Sequence, residues 1–240
     1  MVKKLAIGLH KAAMMYDEKN CRKKIESLCG EYEWWKEYES TTDFFAVGIK
    51  DGVMDVCGRG TDGPTRLRRL AAWASSLDTT IDDRGRHRSF YDTALWAFDE
   101  IMETDIPAFK CIDQFGHSRF TGINPHLGIM LARRTGRPVL ICDYAIAPTF
   151  TNYGIKTMWR EACSNYRVSR WAVVNPRDAL TGNSFLGMKL RGYNPEDGAD
   201  AGEIVTLPPD TAIQRFFKKL KVPSLIEHSP KEYCDGLKII

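Results

Sequence analysis

Residues 115–132, FGHSRFTGINPHLGIMLA, hold the residue types that a nucleophilic site requires. A serine on a sharp turn between a strand and a helix exposes its Oγ for attack, and the pattern G-x-S-x-G marks such a turn. Two imperfect versions occur here. Gly116-His117-Ser118-Arg119-Phe120 has the serine but lacks the closing glycine. Gly122-Ile123-Asn124-Pro125-His126 has a turn with a good helix behind it, but Asn stands where the serine belongs. The first would support acyl transfer, given a His to activate the serine, an acid to orient that His, and backbone N–H groups facing the oxyanion. The second has no nucleophile. Its Pro125 has no N–H to offer where an oxyanion donor is needed.

Such residues need a scaffold to hold them. The chain has 240 residues, 43% hydrophobic and 27% charged, which suits one α/β domain over residues 1–240 with a large core. Residues 1–43 read as an N-terminal helical cover. A net charge of +3, from 34 basic against 31 acidic residues, is too balanced to imply nucleic acid or an anionic membrane. No apolar run of about 18 residues exists to span a bilayer. His10 and Lys11 interrupt the N-terminal apolar run before signal-peptide length, so a mature helix is expected there. Seven Cys without C-x-x-C or metal-ligand spacing point to reduced thiols in a cytosolic protein, most of them small core residues. No cofactor is expected: the glycine-rich run 58–63 lacks both phosphate-binding patterns. His117 and His126 lack companion ligands, so they are expected to line a cleft or meet solvent rather than hold a metal.

Apolar residues recur at helical spacing from Leu5 to Leu28, with Gly30 as a stop. Residues 31–42 are acidic and aromatic, a short strand or an irregular cover. Two β-rich runs flank Lys50-Asp51-Gly52, a strong hairpin signal. Residues 90–102 form an amphipathic helix. Asn124 as cap, Pro125 at the first position and Gly136 at the end predict a helix over 125–135. The apolar run 137–146 reads as a buried parallel strand, 170–174 as another, and 203–207 as the end of a hairpin.

Several runs, taken in order, resemble the class 3 (fungal-type) lipases of the α/β-hydrolase fold. They are VMDVCGRGTD at 53–62, Gly85-Arg86-His87-Arg88-Ser89-Phe90, the elbow stretch, Ala147-Pro148 with Asn152, Asn175-Pro176-Arg177-Asp178, and His228-Ser229 with Tyr233. The resemblance covers about residues 44–233. It departs from the family at Ser89, where a Gly is usual. It implies an α/β-hydrolase-like fold, a mostly parallel central sheet with helices on both faces. It also implies Asp178 as the triad acid, His228 as the base, Thr61 as the first oxyanion residue, and Arg119, after Ser118, as a second oxyanion or binding residue.

The two registers then diverge. With Ser118 in the slot, the protein is a serine ester hydrolase of lipase or esterase type, its ligand a small acyl ester. The objections are six residues between Ser118 and Pro125, bulky Phe120 and Thr121, and a preceding strand that would bury Asp113 and Gln114. With Asn124 in the slot, the helix begins at once behind a short strand, 118–121. This register fits the backbone better, and it implies a degenerate triad: a pseudoenzyme that binds a protein partner or ligand without hydrolysis. The segment 64–83, with Leu67, Leu70, Trp73 and Leu77, reads as a packing helix or a small lid.

Overall fold

The computed structural model describes residues 2–61, 80, 82–83, 86–144, 153–174 and 203–206. The segment 64–83 and positions 147–152, 178 and 228 therefore lie outside the described residues, apart from 80 and 82–83. Among the described residues seven strands pair in chain order: β1 (Trp34–Glu39), β2 (Phe44–Lys50), β3 (Val53–Gly58), β4 (Cys111–His117), β5 (Val139–Tyr144), β6 (Val168–Val174) and β7 (Glu203–Thr206). The first two pairings are antiparallel and the remaining four parallel. The β2–β3 hairpin turns at Asp51-Gly52, with φ of 53° and 74°, the left-handed pair that a type I′ turn requires. The last described strand, Glu203–Thr206, runs parallel to β6, and the residues that would pair with it in the expected hairpin lie outside the described residues.

Because the parallel strands advance in one direction and such crossovers are right-handed, their helices belong on one face. That face carries α3 (Arg88–Met102), α4 (Phe120–Thr135) and α5 (Tyr153–Tyr166). Phe90, Ala94, Phe120, Ile123, Leu127 and Trp159 pack there on Val47, Val56, Ile112 and Ile141. The other face is covered by α1 (Val2–Met14) and α2 (Cys21–Cys29). Leu5, Leu9, Ala12 and Ile25 meet Phe115, Cys142 and Tyr144 there. Gly8 lets α1 lie close: a Cβ would sit 2.3 Å from the Phe115 ring and 2.7 Å from the Tyr144 hydroxyl.

The continuous helical spacing over 5–28 breaks into two helices. Asp17 and Asn20 turn the chain between them, with the Asn20 amide donating to the Asp17 carboxylate at 3.2 Å. No helix among the described residues is long and apolar enough to cross a membrane.

Strand β4 is the one whose polar content argued against burial, and the structure supplies partners for most of it. The Lys4 ammonium reaches down from α1 to the Asp113 carboxylate at 2.7 Å. In neighbouring β3, buried Asp55 is met by Lys11 and by the Tyr32 hydroxyl. Gln114 is different. It is fully buried under α4, and among the described residues neither amide atom has a hydrogen-bond partner. Leaving such groups unpaired costs about 1–3 kcal/mol, whereas an apolar residue of similar shape avoids that cost. Gln114→Met is therefore expected to raise stability by about 1 kcal/mol, or about 2–4 °C in Tm, by thermal unfolding. An unchanged or lower Tm would show that the amide is satisfied.

Candidate active site

The C-terminal ends of β3, β4 and β5 meet at one point. β4 stops at His117 and α4 starts at Phe120, so the chain turns from strand to helix through Ser118 and Arg119. Ser118 has φ of 56°, a left-handed conformation that costs a non-glycine residue roughly 1–3 kcal/mol and persists only when its surroundings hold it. They do. The Ser118 N–H donates to the Tyr144 carbonyl at 3.0 Å, across to β5. Its carbonyl accepts from the Thr121 N–H at 3.0 Å and from the Thr121 hydroxyl at 2.6 Å.

This geometry departs from the register that the helix signals favoured. That register needed a strand at 118–121 and a helix beginning at Pro125. Instead the helix begins two residues after Ser118, and Pro125 lies inside it, in the second turn. A proline there removes the hydrogen bond to the carbonyl four residues earlier, that of Thr121. Arg170 of β6 compensates, its Nη2 donating to the Thr121 carbonyl at 3.4 Å. Asn124 stands in the helix, fully buried, and its Nδ2 donates to Asp143 Oδ1 at 2.7 Å. The strand–helix junction is thus occupied by Ser118 and not by Asn124.

The missing closing glycine has a local explanation. In a G-x-S-x-G turn, small residues let helix and strand approach. Here Phe120 stands at the last position, fully buried. Its ring fills the space above Gly58 at the end of β3, where a Cβ would meet three ring carbons at 2.2–2.3 Å. The glycine that makes room lies on the adjacent strand. The first glycine is kept for a related reason: a Cβ at Gly116 would lie 2.5 Å from Asn124 Nδ2.

Arg119 is also accommodated by a change elsewhere. Its buried guanidinium pairs with Asp43, Nε to Oδ1 at 2.8 Å, and donates to the Ser89 hydroxyl at 3.2 Å and the Thr93 hydroxyl at 3.2 Å. Ser89 is the position where glycine is usual in the family, so the hydroxyl that stands in its place has a partner in Arg119. With its side chain held there, what Arg119 offers the junction is its backbone.

On the β3 side, Gly60 presses against the turn. A Cβ at Gly60 would lie 2.5 Å from Ser118 Cβ and 2.9 Å from the His117 carbonyl. Half-buried Thr61 is the next residue of the loop after β3. Asp178 and His228 lie outside the described residues.

Neither His117 nor His126 meets solvent. His117 is buried, with Nδ1 in hydrogen-bond contact with the Tyr16 hydroxyl at 2.8 Å. His126 is buried edge-on to the Tyr91 ring, and that burial, with nearby Arg86 and His87, pushes its imidazole down to about 3. Sequence reasoning missed Asp143 and Arg170. They form a fully buried pair behind the turn, Arg170 Nε to Asp143 Oδ2 at 2.7 Å. Burial pushes the Asp143 carboxyl up to about 6 against the opposing pull of Arg170 and Asn124.

A parallel sheet with a strand–serine–helix turn at its C-terminal edge is the architecture of the α/β-hydrolase fold, in its lipase-like form. Solved lipase structures are similar to this chain, two of them as follows. A triacylglycerol lipase from Penicillium expansum matches with a TM-score of 0.53 at 13% identity, covering 86% of this chain and 78% of its own. M37 lipase matches with a TM-score of 0.53 at 10% identity, covering 96% of this chain and 91% of its own. At these identities the likeness concerns the fold. The sequence matches no protein-family model and no curated protein.

Proposed function

We propose that this chain is a serine ester hydrolase in which Ser118 is the nucleophile. The observation that carries this reading is the left-handed turn at Ser118 between β4 and α4, which sets the serine at a helix N-terminus beside Gly60. A helix N-terminus favours negative charge, as an attacking alkoxide and a tetrahedral oxyanion need. The N–H groups of Thr61 and Arg119 serve as oxyanion donors. His228 and Asp178 serve as base and acid, by their resemblance to the lipase motifs.

In this mechanism His228 accepts the Ser118 hydroxyl proton as Oγ attacks the ester carbonyl carbon. The tetrahedral intermediate collapses, the C–O bond to the alcohol breaks, and His228 returns the proton to the leaving alkoxide. Water, deprotonated by the same His, then attacks the acyl-serine, releasing the acid and restoring the hydroxyl. The substrate class is a small acyl ester.

Incubation with a fluorophosphonate probe, followed by mass mapping, tests the assignment. The expected adduct is on Ser118, with Ser118→Ala unlabelled and its ester hydrolysis lower by on the order of 10⁶-fold. A folded sample left unlabelled beside a reactive control hydrolase would overturn it and return the protein to the class of non-catalytic binding proteins.

A further inference from the structure

The connector between α1 and α2, residues 15–20, belongs to the segment read from sequence as a cover. Its side chains reach the Ser118 turn. The Tyr16 hydroxyl accepts from the buried Gly60 N–H at 3.1 Å and contacts His117 Nδ1 at 2.8 Å. It thus bridges the residue before Ser118 and the residue before Thr61. The contact is close: a Cβ on Gly60 would stand 2.7 Å from that hydroxyl. Two residues on, the Glu18 carboxylate pairs with the buried guanidinium of Arg59 at 2.7 Å. The same guanidinium donates back to the Gly60 carbonyl at 3.1 Å, and the Arg59 N–H donates to the Phe44 carbonyl at 3.4 Å. Residues 59 and 60 are therefore held from behind by Tyr16 and Glu18.

We infer that Tyr16 is a positioning residue: its hydroxyl sets the spacing between the Thr61 loop and the Ser118 turn, with Glu18 as its auxiliary through Arg59. The inference rests on the reading of Ser118 as nucleophile and Thr61 as oxyanion residue. An oxyanion donor acts only when aimed at where charge develops, and displacement of a site by about 1 Å costs as much as 10²-fold in rate. Removing the hydroxyl takes away the acceptor for the Gly60 N–H and the tie to His117 together. The change removes no atom of Ser118 or of Thr61. The loss therefore falls on the transition state and spares substrate binding, which places it in kcat and leaves KM alone.

The test compares Tyr16→Phe with wild type in the intact chain, using a p-nitrophenyl butyrate assay, fluorophosphonate active-site titration and thermal unfolding. Wild-type labelling on Ser118 is the first readout, and its absence would sink the hydrolase reading and this inference with it. Given that labelling, kcat per titrated site is expected to fall at least tenfold in Tyr16→Phe, with KM within about twofold of wild type. A merely structural role would lower the Tm or the titratable fraction and leave kcat per titrated site unchanged, and that result would overturn the inference while the hydrolase reading stands. Glu18→Gln decides the matter if Tyr16→Phe does not fold. It weakens the hold on Arg59 with Tyr16 in place, and a smaller kcat loss, about two- to fivefold, is expected, again at constant KM. Unchanged kcat there would count against the positioning role.

Discussion

Arg170→Met lowers unfolding stability by roughly 3–5 kcal/mol at pH 8, and by only about 1 kcal/mol at pH 5. The first figure follows from leaving Asp143 ionised and fully buried with only the Asn124 amide as a described partner. It also includes the Thr121 carbonyl, which Pro125 cannot serve and which loses the Arg170 donor. The pH dependence comes from the carboxyl. In the wild type, Asp143 has a folded value of about 6 against an ordinary 3.8, so the folded state binds its proton more tightly than the unfolded chain does. This group's contribution to stability is therefore greatest below 3.8 and declines as pH rises through about 6. Without Arg170, nothing opposes desolvation except Asn124, the folded value rises further, and the decline extends to higher pH. At pH 5 the carboxyl is mostly neutral in both proteins, so they differ by little more than hydrogen bonds. Denaturant unfolding at the two pH values reads the difference. A loss independent of pH would mean that Asp143 is not the group whose charge is being stranded.

Gly58→Ala is expected to cost about 3 kcal/mol, the upper end of ordinary overpacking. The added Cβ would fall within 2.3 Å of three Phe120 ring carbons. Neither side yields easily. Gly58 is paired on one flank to Phe45 and on the other to Gly116, while Phe120 opens the helix that carries the turn. The damage should be conditional. Phe120→Ala alone leaves a cavity and costs roughly 3–5 kcal/mol, but in that background Gly58→Ala meets no ring. A double-mutant cycle by urea unfolding should therefore show coupling of about 1–3 kcal/mol, with the pair less destabilised than the sum. Additive losses would mean that ring and glycine are not in register.

The sheet was legible in the sequence where local chemistry is strong. Asp51-Gly52 specified its own turn, Gly30 ended α2, and the apolar run 137–146 read as a buried parallel strand, which the structure describes over Val139–Tyr144. β4 was harder, because the partners of its polar residues lie far off in the chain. Nothing near Asp113 announces Lys4, and nothing near Asp55 announces Lys11 or Tyr32. The turn at Ser118 was obscured in the same way. Phe120 looks too large for its position until Gly58 is seen above it. Pro125 imitates a helix start until Arg170 is seen taking the carbonyl it frees. Arg119 has no acidic neighbour in its own stretch, and Asp43 and Ser89 receive it from elsewhere. Each conflict was local, and each remedy came from another strand or helix, which periodicity and capping rules cannot register.

The docking of α1 sets an order on how the chain is made. Its apolar side, with Leu5, Leu9 and Ala12, rests on Phe115, Cys142 and Tyr144, and the Tyr144 hydroxyl donates to the Leu5 carbonyl. A ribosome adds about 5–20 residues per second, so the helix emerges on the order of ten seconds before the strands that shelter it. Through that interval its greasy side has no seat, while β1, β2 and β3 can already pair with their sequence neighbours. The nascent protein is thus exposed to chaperones and to clumping through this helix, which is made well before the strands on which it settles.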